Sequence, residues 1–193
     1  YAPLLVGATT IVFEGKPVGT PDAGTFWRVI EEHGVKSFFT APTALRAIKR
    51  EDPAGNFVRD YDLESLKLLF LAGERADPDT IVWAQDHVKV PVIDHWWQTE
   101  TGWPMLTAVP GVENTPIKFG SPSFPAYGYD LRLLRESDAS EAGANEKGVV
   151  VVVPPLPPGC LSTVWGDDAR FVSTYFSTFR DRMLYSTFDW ATR

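Results

Sequence analysis

Cysteine, histidine and methionine are scarce: the 193 residues hold one Cys, three His and two Met. A lone Cys160 cannot close an intrachain disulfide, which fits a reducing compartment, the cytoplasm or, in a eukaryote, the mitochondrial matrix. His33, His87 and His95 show no ligand spacing, which excludes a Cys/His metal site. Cys160, between "PPG" and "LST" with no nearby His, reads as an inert thiol. No apolar run approaches the roughly 18–20 residues that span a bilayer, and no signal sequence is evident, so no membrane partner is expected. Positive charge is in deficit: 18 Lys and Arg against 25 Asp and Glu give a net charge of −7. The basic footprint of a nucleic-acid binder is missing, although an acidic chain can still hold a nucleotide locally. There is no G-x-S-x-G elbow for a Ser/His/Asp hydrolase, and neither common Gly-rich phosphate loop. Internal repeats and low-complexity tracts are also lacking.

What the chain does have is an ordinary globular balance, 44% hydrophobic and 22% charged, with seven Trp, twelve Phe and sixteen Pro. Its length suffices to bury a real core. It opens on "YAPLLVGATT" without Met and stops at "DWATR", which leads to the expectation of a piece cut from a longer protein.

The first hundred residues alternate strand and helix signals. Residues 8–14 ("ATTIVFE") read as a strand. A helix follows over 25–34, with Phe26, Val29 and Ile30 on one face and Gly34 as its stop. Residues 35–41 form the next strand, and 42–52 a helix turning Ala44, Leu45 and Ile48 inward. "LKLLFLA" (66–72) is apolar throughout, as in a strand buried on both faces. Asp77-Pro78 opens a helix to about His87, and 90–96 supplies another strand. This β-α-β-α-β-α-β order predicts an α/β fold, a parallel-sheet subdomain with crossover helices over 1–106. From 107 to 193 the texture turns to Gly, Pro and Ser. Strands in "YDLRLLRE", "GVVVVV" and 182–190, with a helix over 167–179, predict a smaller, mostly antiparallel β subdomain.

Ligands of open parallel sheets sit beyond the carboxyl ends of the strands. "TAPT" (40–43), "AGER" (72–75) and "WWQTE" (96–100) should converge there. Taken alone, Trp96 and Trp97 favour core packing over a ligand role. Gln98, Thr99, Glu100 and Thr101 shift that balance, because four consecutive polar side chains exceed the needs of a simple turn. Hydroxyl and amide groups can donate to phosphate oxygens, a carboxylate can hold Mg²⁺, and an indole can stack on a purine. Glu74 after Gly73 is open between a solvated carboxylate and a ligand contact. Asp189 in "YSTFDWA" is, on local grounds, a turn or strand-edge aspartate.

Together these segments resemble the AMP-forming acyl-CoA synthetases of the adenylate-forming superfamily, most closely the short-chain branch of acetyl- and propionyl-CoA synthetases. "DHWWQTETGWP" is similar to that branch's form of the aromatic-G/x-x-T-E motif. "FFTAPTALRAI" and "LFLAGERADPDT" resemble the Ala-Pro-Thr motif and the Gly-Glu adenine loop. "GSPSFPAYGYDLRLL", "PPLPPGCLSTVWGDDARFVSTYFSTF" and "YSTFDWA" follow in the family's order, so the resemblance runs essentially end to end. It implies that Gly73, Glu74 and Arg75 line the adenine side with Asp94, His95 and Trp96. Trp97 and Ala72 would bound the acyl pocket. Gln98 and Thr99 would face the α-phosphate, Glu100 would help hold Mg²⁺, and Asp189 would bind ribose hydroxyls. Thr99 and Glu100 are thus the catalytic candidates. Two departures are visible: Arg75 stands where the family often has Pro, and Phe188 where it usually has Gly before the Asp.

The implied substrates are ATP, coenzyme A and a small carboxylate, with Mg²⁺ as cofactor and AMP as product. The carboxylate attacks as an anion, so no general base is needed for its activation, in keeping with the lack of an acid/base dyad. Ala72, where acetate-specific relatives typically carry Val, leaves room for roughly one more methylene, worth ~1 kcal/mol, and favours propionate over acetate. The family's phosphate loop would lie upstream and its mobile lysine-bearing domain downstream, so thioester synthesis by these 193 residues alone is not expected. Two rivals stand beside this reading: a non-catalytic module stacking ligands on Trp96, Trp97 and Trp103, and an adenylate-forming ligase for another acid. Oligomeric state is not legible in the sequence.

Overall fold

The computed structural model describes residues 2–193. Its elements run α1 (Ala2–Leu5), α2 (Thr25–His33), β1 (Ser37–Thr40), α3 (Pro42–Glu51), α4 (Asn56–Arg59), β2 (Leu68–Leu71), α5 (Pro78–Val88) and β3 (Val92–Asp94). They continue with β4 (Asp130–Leu134), β5 (Gly148–Val153), α6 (Asp168–Tyr175) and β6 (Tyr185–Ala191). β1, β2 and β3 form a parallel sheet in that order, and β4, β5 and β6 a separate antiparallel one. The expected α/β architecture is therefore present. Contacts divide the chain into two compact units, Tyr1–Leu69 with Asp79–Val92, and Phe70–Pro78 with Ile93–Arg193.

In the first unit, α3 begins at Pro42, whose fixed φ suits the first helical position and whose missing N–H needs no partner there. Asp79 in the first turn of α5 and His87 in the last both complement the helix dipole. Trp27, Ile30, Leu45, Ile48, Leu66, Leu69 and Ile81 are fully buried between these helices and strands. The apolar face of α2 is set by Trp27 and Ile30, one turn apart, leaving Phe26 and Val29 half-buried, unlike the face expected from the sequence. β2 also departs from expectation: Leu69 and Leu71 are buried while Leu68 and Phe70 are only half-buried, so the strand alternates.

The expected strand over residues 8–14 does not form; the segment is irregular and Val12 is 92% exposed. β-branched residues favour an extended backbone, but a strand exists only where a neighbour accepts its ladder hydrogen bonds. The parallel sheet is built of β1, β2 and β3, and this segment is not joined to it.

In the second unit, β5 is the central antiparallel strand, and Val149 to Val152 are buried. Met105, Ala126, Tyr129, Val152 and Tyr185 form one core cluster, with Trp96, Tyr175 and Phe176 packed against it. The Asp167 side chain accepts from the Arg170 N–H and caps α6. Among the described residues, no helix is long and apolar enough to cross a membrane.

Candidate functional site

The two adjacent tryptophans part company. The backbone N–H of Trp96 donates to the Leu106 carbonyl at 2.9 Å, and the Met105 N–H donates to the Trp96 carbonyl at 2.9 Å. This bridge pins the ends of a loop and turns Trp96 onto the core cluster. Trp97, one residue on, lies outside the bridge and is 39% exposed. The packing expectation thus holds for one indole and leaves the other at the surface.

Thr101 is the buried keystone of the loop. Its hydroxyl donates to the Gln98 carbonyl at 2.9 Å and accepts the Gln98 N–H at 3.1 Å. One of the four consecutive polar residues therefore serves the turn, while Gln98 and Glu100 are half-buried and Thr99 is exposed. Gly102 follows at φ +70°, and a Cβ there would lie 2.7 Å from the Gly159 carbonyl oxygen, so only glycine fits.

The Glu100 carboxylate accepts from the Tyr175 hydroxyl at 2.8 Å, and its main-chain carbonyl accepts from the Leu161 N–H at 2.6 Å. The Tyr175 ring stacks on that of Tyr185, with centroids 5.4 Å apart and planes 12° from parallel. Each phenol is held above its ordinary pKa, Tyr175 first by its bond to Glu100 and Tyr185 first by burial. Both therefore stay neutral donors at physiological pH. The Tyr185 hydroxyl donates to Gln98 Oε1 at 3.1 Å, and Gln98 Nε2 donates to the Thr187 carbonyl at 2.7 Å and to Asp189 Oδ2 at 2.9 Å.

Asp189 reaches this loop because β6 is bulged. Val149 pairs with Trp190 and Val151 with Ser186, so three residues of β6, Thr187 to Asp189, face the single Val150 of β5. The buried Thr187 hydroxyl donates to the Val150 carbonyl at 2.8 Å and takes up part of the broken ladder. Phe188 adopts φ +61°, a left-handed conformation unusual for an aromatic residue. Bulges of this kind re-aim a side chain, and they commonly use glycine at the left-handed position. Glycine is the residue such a position ordinarily calls for, and this chain carries Phe188 there.

The Gly73–Arg75 and Asp94–Trp96 segments also meet. The Ala76 N–H donates to the Asp94 carboxylate, and the Arg75 guanidinium attracts it. Burial outweighs both and raises the Asp94 pKa to about 6. His95 Nδ1 donates to the Leu71 carbonyl at 2.6 Å, its N–H donates to the same oxygen at 3.0 Å, and its ring meets the Phe70 ring edge-on at 5.5 Å. Burial depresses the His95 pKa, so the imidazole is neutral and Nε2 is its acceptor nitrogen. Gly73, at φ +101° with nothing within 4 Å of where a Cβ would sit, exposes its backbone to an approaching ligand. Glu74 and Arg75 beside it are exposed, and Ala72 is buried.

Among the described residues, no group of three or more His, Cys, Asp and Glu side chains could cage a metal. A single loop carboxylate such as Glu100 instead fits Mg²⁺ carried largely by substrate phosphates. Tyr175 and Tyr185 were not legible as site residues. Their hydroxyls act across 75 and 87 residues of sequence, and no local spacing records such pairs.

The fold, with its parallel sheet and separate antiparallel sheet, matches a solved adenylate-forming ligase. The crystal structure of the anthranilate CoA ligase AuaEII in complex with anthranoyl-AMP superposes with a TM-score of 0.76. The match covers 98% of this chain and 33% of that one, at 23% sequence identity. The AMP-binding enzyme family model matches residues 1–156, and the chain belongs to that family. Propionate–CoA ligases of Salmonella typhimurium and Escherichia coli are each 49% identical to it over all 193 residues. Human acyl-CoA synthetase short-chain family member 3, mitochondrial, is 46% identical over 182 residues, 93% of this chain and 26% of that protein. The chain spans 30% of the length of the two bacterial ligases.

Proposed function

We propose that this chain carries the adenosine- and acyl-binding walls of an AMP-forming short-chain acyl-CoA synthetase acting on propionate. The carrying observation is the 2.9 Å hydrogen bond between Gln98, in the loop with the phosphate-facing motif, and Asp189, the ribose candidate 91 residues away. Groups suited to two parts of one nucleotide are thereby held at one place.

In this reading Gly73, Glu74 and Arg75 line the adenine with Asp94, His95 and Trp96, backbone groups contributing much of the contact. Thr99 faces the α-phosphate with a hydroxyl donor. Asp189 accepts from the ribose hydroxyls. Glu100 holds Mg²⁺, which when bound neutralises phosphate charge. A carboxylate oxygen of the acid attacks the α-phosphorus of ATP as the bond to pyrophosphate breaks, giving acyl-AMP. The CoA sulfur then attacks the acyl carbonyl, AMP leaves, and the thiol proton passes to solvent. Positioning and charge neutralisation carry the first step, because the nucleophile is already ionised. The half-exposed Trp97 and small, buried Ala72 bound the space for the acyl chain.

The test is turnover of acetate, propionate and butyrate by the intact protein, followed as acyl-AMP and acyl-CoA. Propionate should be preferred, and Ala72→Val should move preference toward acetate by roughly five-fold, about one methylene's burial. Acetate preferred by the unsubstituted protein, or no adenylate formed from any acid, would overturn the reading.

A further inference from the structure

The carboxamide of Gln98 is committed inside the protein at both ends. Its nitrogen donates to the Thr187 carbonyl and to Asp189 Oδ2, and its oxygen accepts from Tyr185. Chemistry fixes this orientation, since a carbonyl and a carboxylate can only accept and must face the NH₂ end. We propose that Gln98 is a positioning residue that sets the Asp189 carboxylate for the ribose hydroxyls, and that its side chain is not a phosphate ligand. This rests on the nucleotide reading above and adds a residue whose effect passes through Asp189.

Asp189 is in need of such a partner. It is an exposed residue on the bulged stretch of β6, directly after Phe188 at φ +61°. Neither strand pairing nor core packing orients a side chain there. Gln98 supplies a charge-assisted hydrogen bond from a loop whose own shape is fixed by the buried Thr101. The far end of the carboxamide is anchored on the hydroxyl of Tyr185, which is buried and stacked on Tyr175. With Oδ2 engaged at 2.9 Å, Oδ1 has a defined direction in which to meet a vicinal diol. Glutamate at 98 would reverse the arrangement by facing a carboxylate and a carbonyl with a second anion.

The intact protein should be titrated calorimetrically with ATP and with 2′,3′-dideoxy-ATP, which lacks the ribose hydroxyls. Gln98→Met keeps the length and loses the donors. It should weaken ATP roughly ten-fold, the scale of one hydrogen bond to a charged group, and leave dideoxy-ATP unchanged. In an Asp189→Ala background the same substitution should add nothing, and kcat at saturating ATP should change little. Tyr185→Phe, which keeps the stacked ring, should give a smaller loss of the same kind, roughly three-fold. Equal weakening of both nucleotides, additivity with Asp189→Ala, or a fall in kcat at unchanged ATP affinity would each overturn the proposal. If the unsubstituted protein binds neither nucleotide, the nucleotide reading itself fails and this inference falls with it. If it binds ATP and Gln98→Met retains the full preference for ribose hydroxyls, only the role of Gln98 is refuted.

Discussion

Replacing Phe188 separates backbone strain from side-chain packing at the bulge that aims Asp189. Phe188 sits at φ +61°, where an L residue brings its Cβ too close to the following carbonyl oxygen at a cost of about 1–2 kcal/mol. Its ring is 57% exposed and lies 6.2 Å from that of Tyr175, so it contributes little burial. Phe188→Ala removes the ring and keeps the strain. Phe188→Gly removes both, at an added unfolded-state entropy cost of about 0.5–1 kcal/mol. The difference leaves glycine ahead of alanine by roughly 0.5–1 kcal/mol, the reverse of their usual order in a strand. Equilibrium urea denaturation of the intact protein resolves such a gap, which also corresponds to a melting difference of about 1–4 °C for a domain of this size. Alanine as stable as glycine, or more so, would refute the left-handed assignment and with it the account of how β6 turns Asp189 outward.

Two further outcomes follow from groups around the loop. The Asp94 carboxyl is raised by burial to about 6 from an ordinary 3.8. Between about pH 4 and 6 the unfolded chain has therefore lost a proton that the native state keeps, so this group makes stability fall as pH rises through that window. Asp94→Asn should abolish its share of the slope, so the variant should gain on the unsubstituted protein in denaturation midpoint between pH 4 and pH 7; an equal difference at both pH values would refute the burial argument. Tyr175→Phe removes the hydroxyl donating to Glu100 and keeps the ring stack. If Glu100 holds Mg²⁺, losing this outer partner should raise the Mg²⁺ concentration for half-maximal adenylate formation by about ten-fold, with thermal stability nearly unchanged. An unaltered Mg²⁺ requirement would detach Tyr175 from the metal.

The parts of the molecule written in local patterns could be read directly. The 3.6-residue periodicity gave α2 and α3, Asp77-Pro78 marked the start of α5, and the valine run gave β5. Residues 8–14 misled because β propensity is a local signal and strand formation is not: "ATTIVFE" has the right side chains and no neighbouring strand. The same distinction runs through the site. That Gln98, Glu100 and Asp189 carry polar chemistry is visible in the motifs, but the donor to each carboxylate is chosen by tertiary contacts. Tyr175 approaches Glu100 from α6 and Tyr185 approaches Gln98 from β6, and the stacking of the two rings gives both hydroxyls a common anchor.

Phe188 sits between these two cases. Its departure from the glycine that the resemblance leads one to expect can be read in the sequence, yet a letter does not reveal whether the chain has abandoned the left-handed turn or kept it under strain. The bulge answers this: with three β6 residues set against Val150, the backbone must turn back within Thr187 to Asp189, and the left-handed residue is the one that turns it. Keeping the turn keeps the Asp189 carboxylate within reach of Gln98, so the strain at Phe188 and the hydrogen bond from Gln98 are two requirements of one geometry. A chain that relaxed Phe188 to an extended conformation would lose that turn, and with it the placement of Asp189 that lets Gln98 donate to its carboxylate.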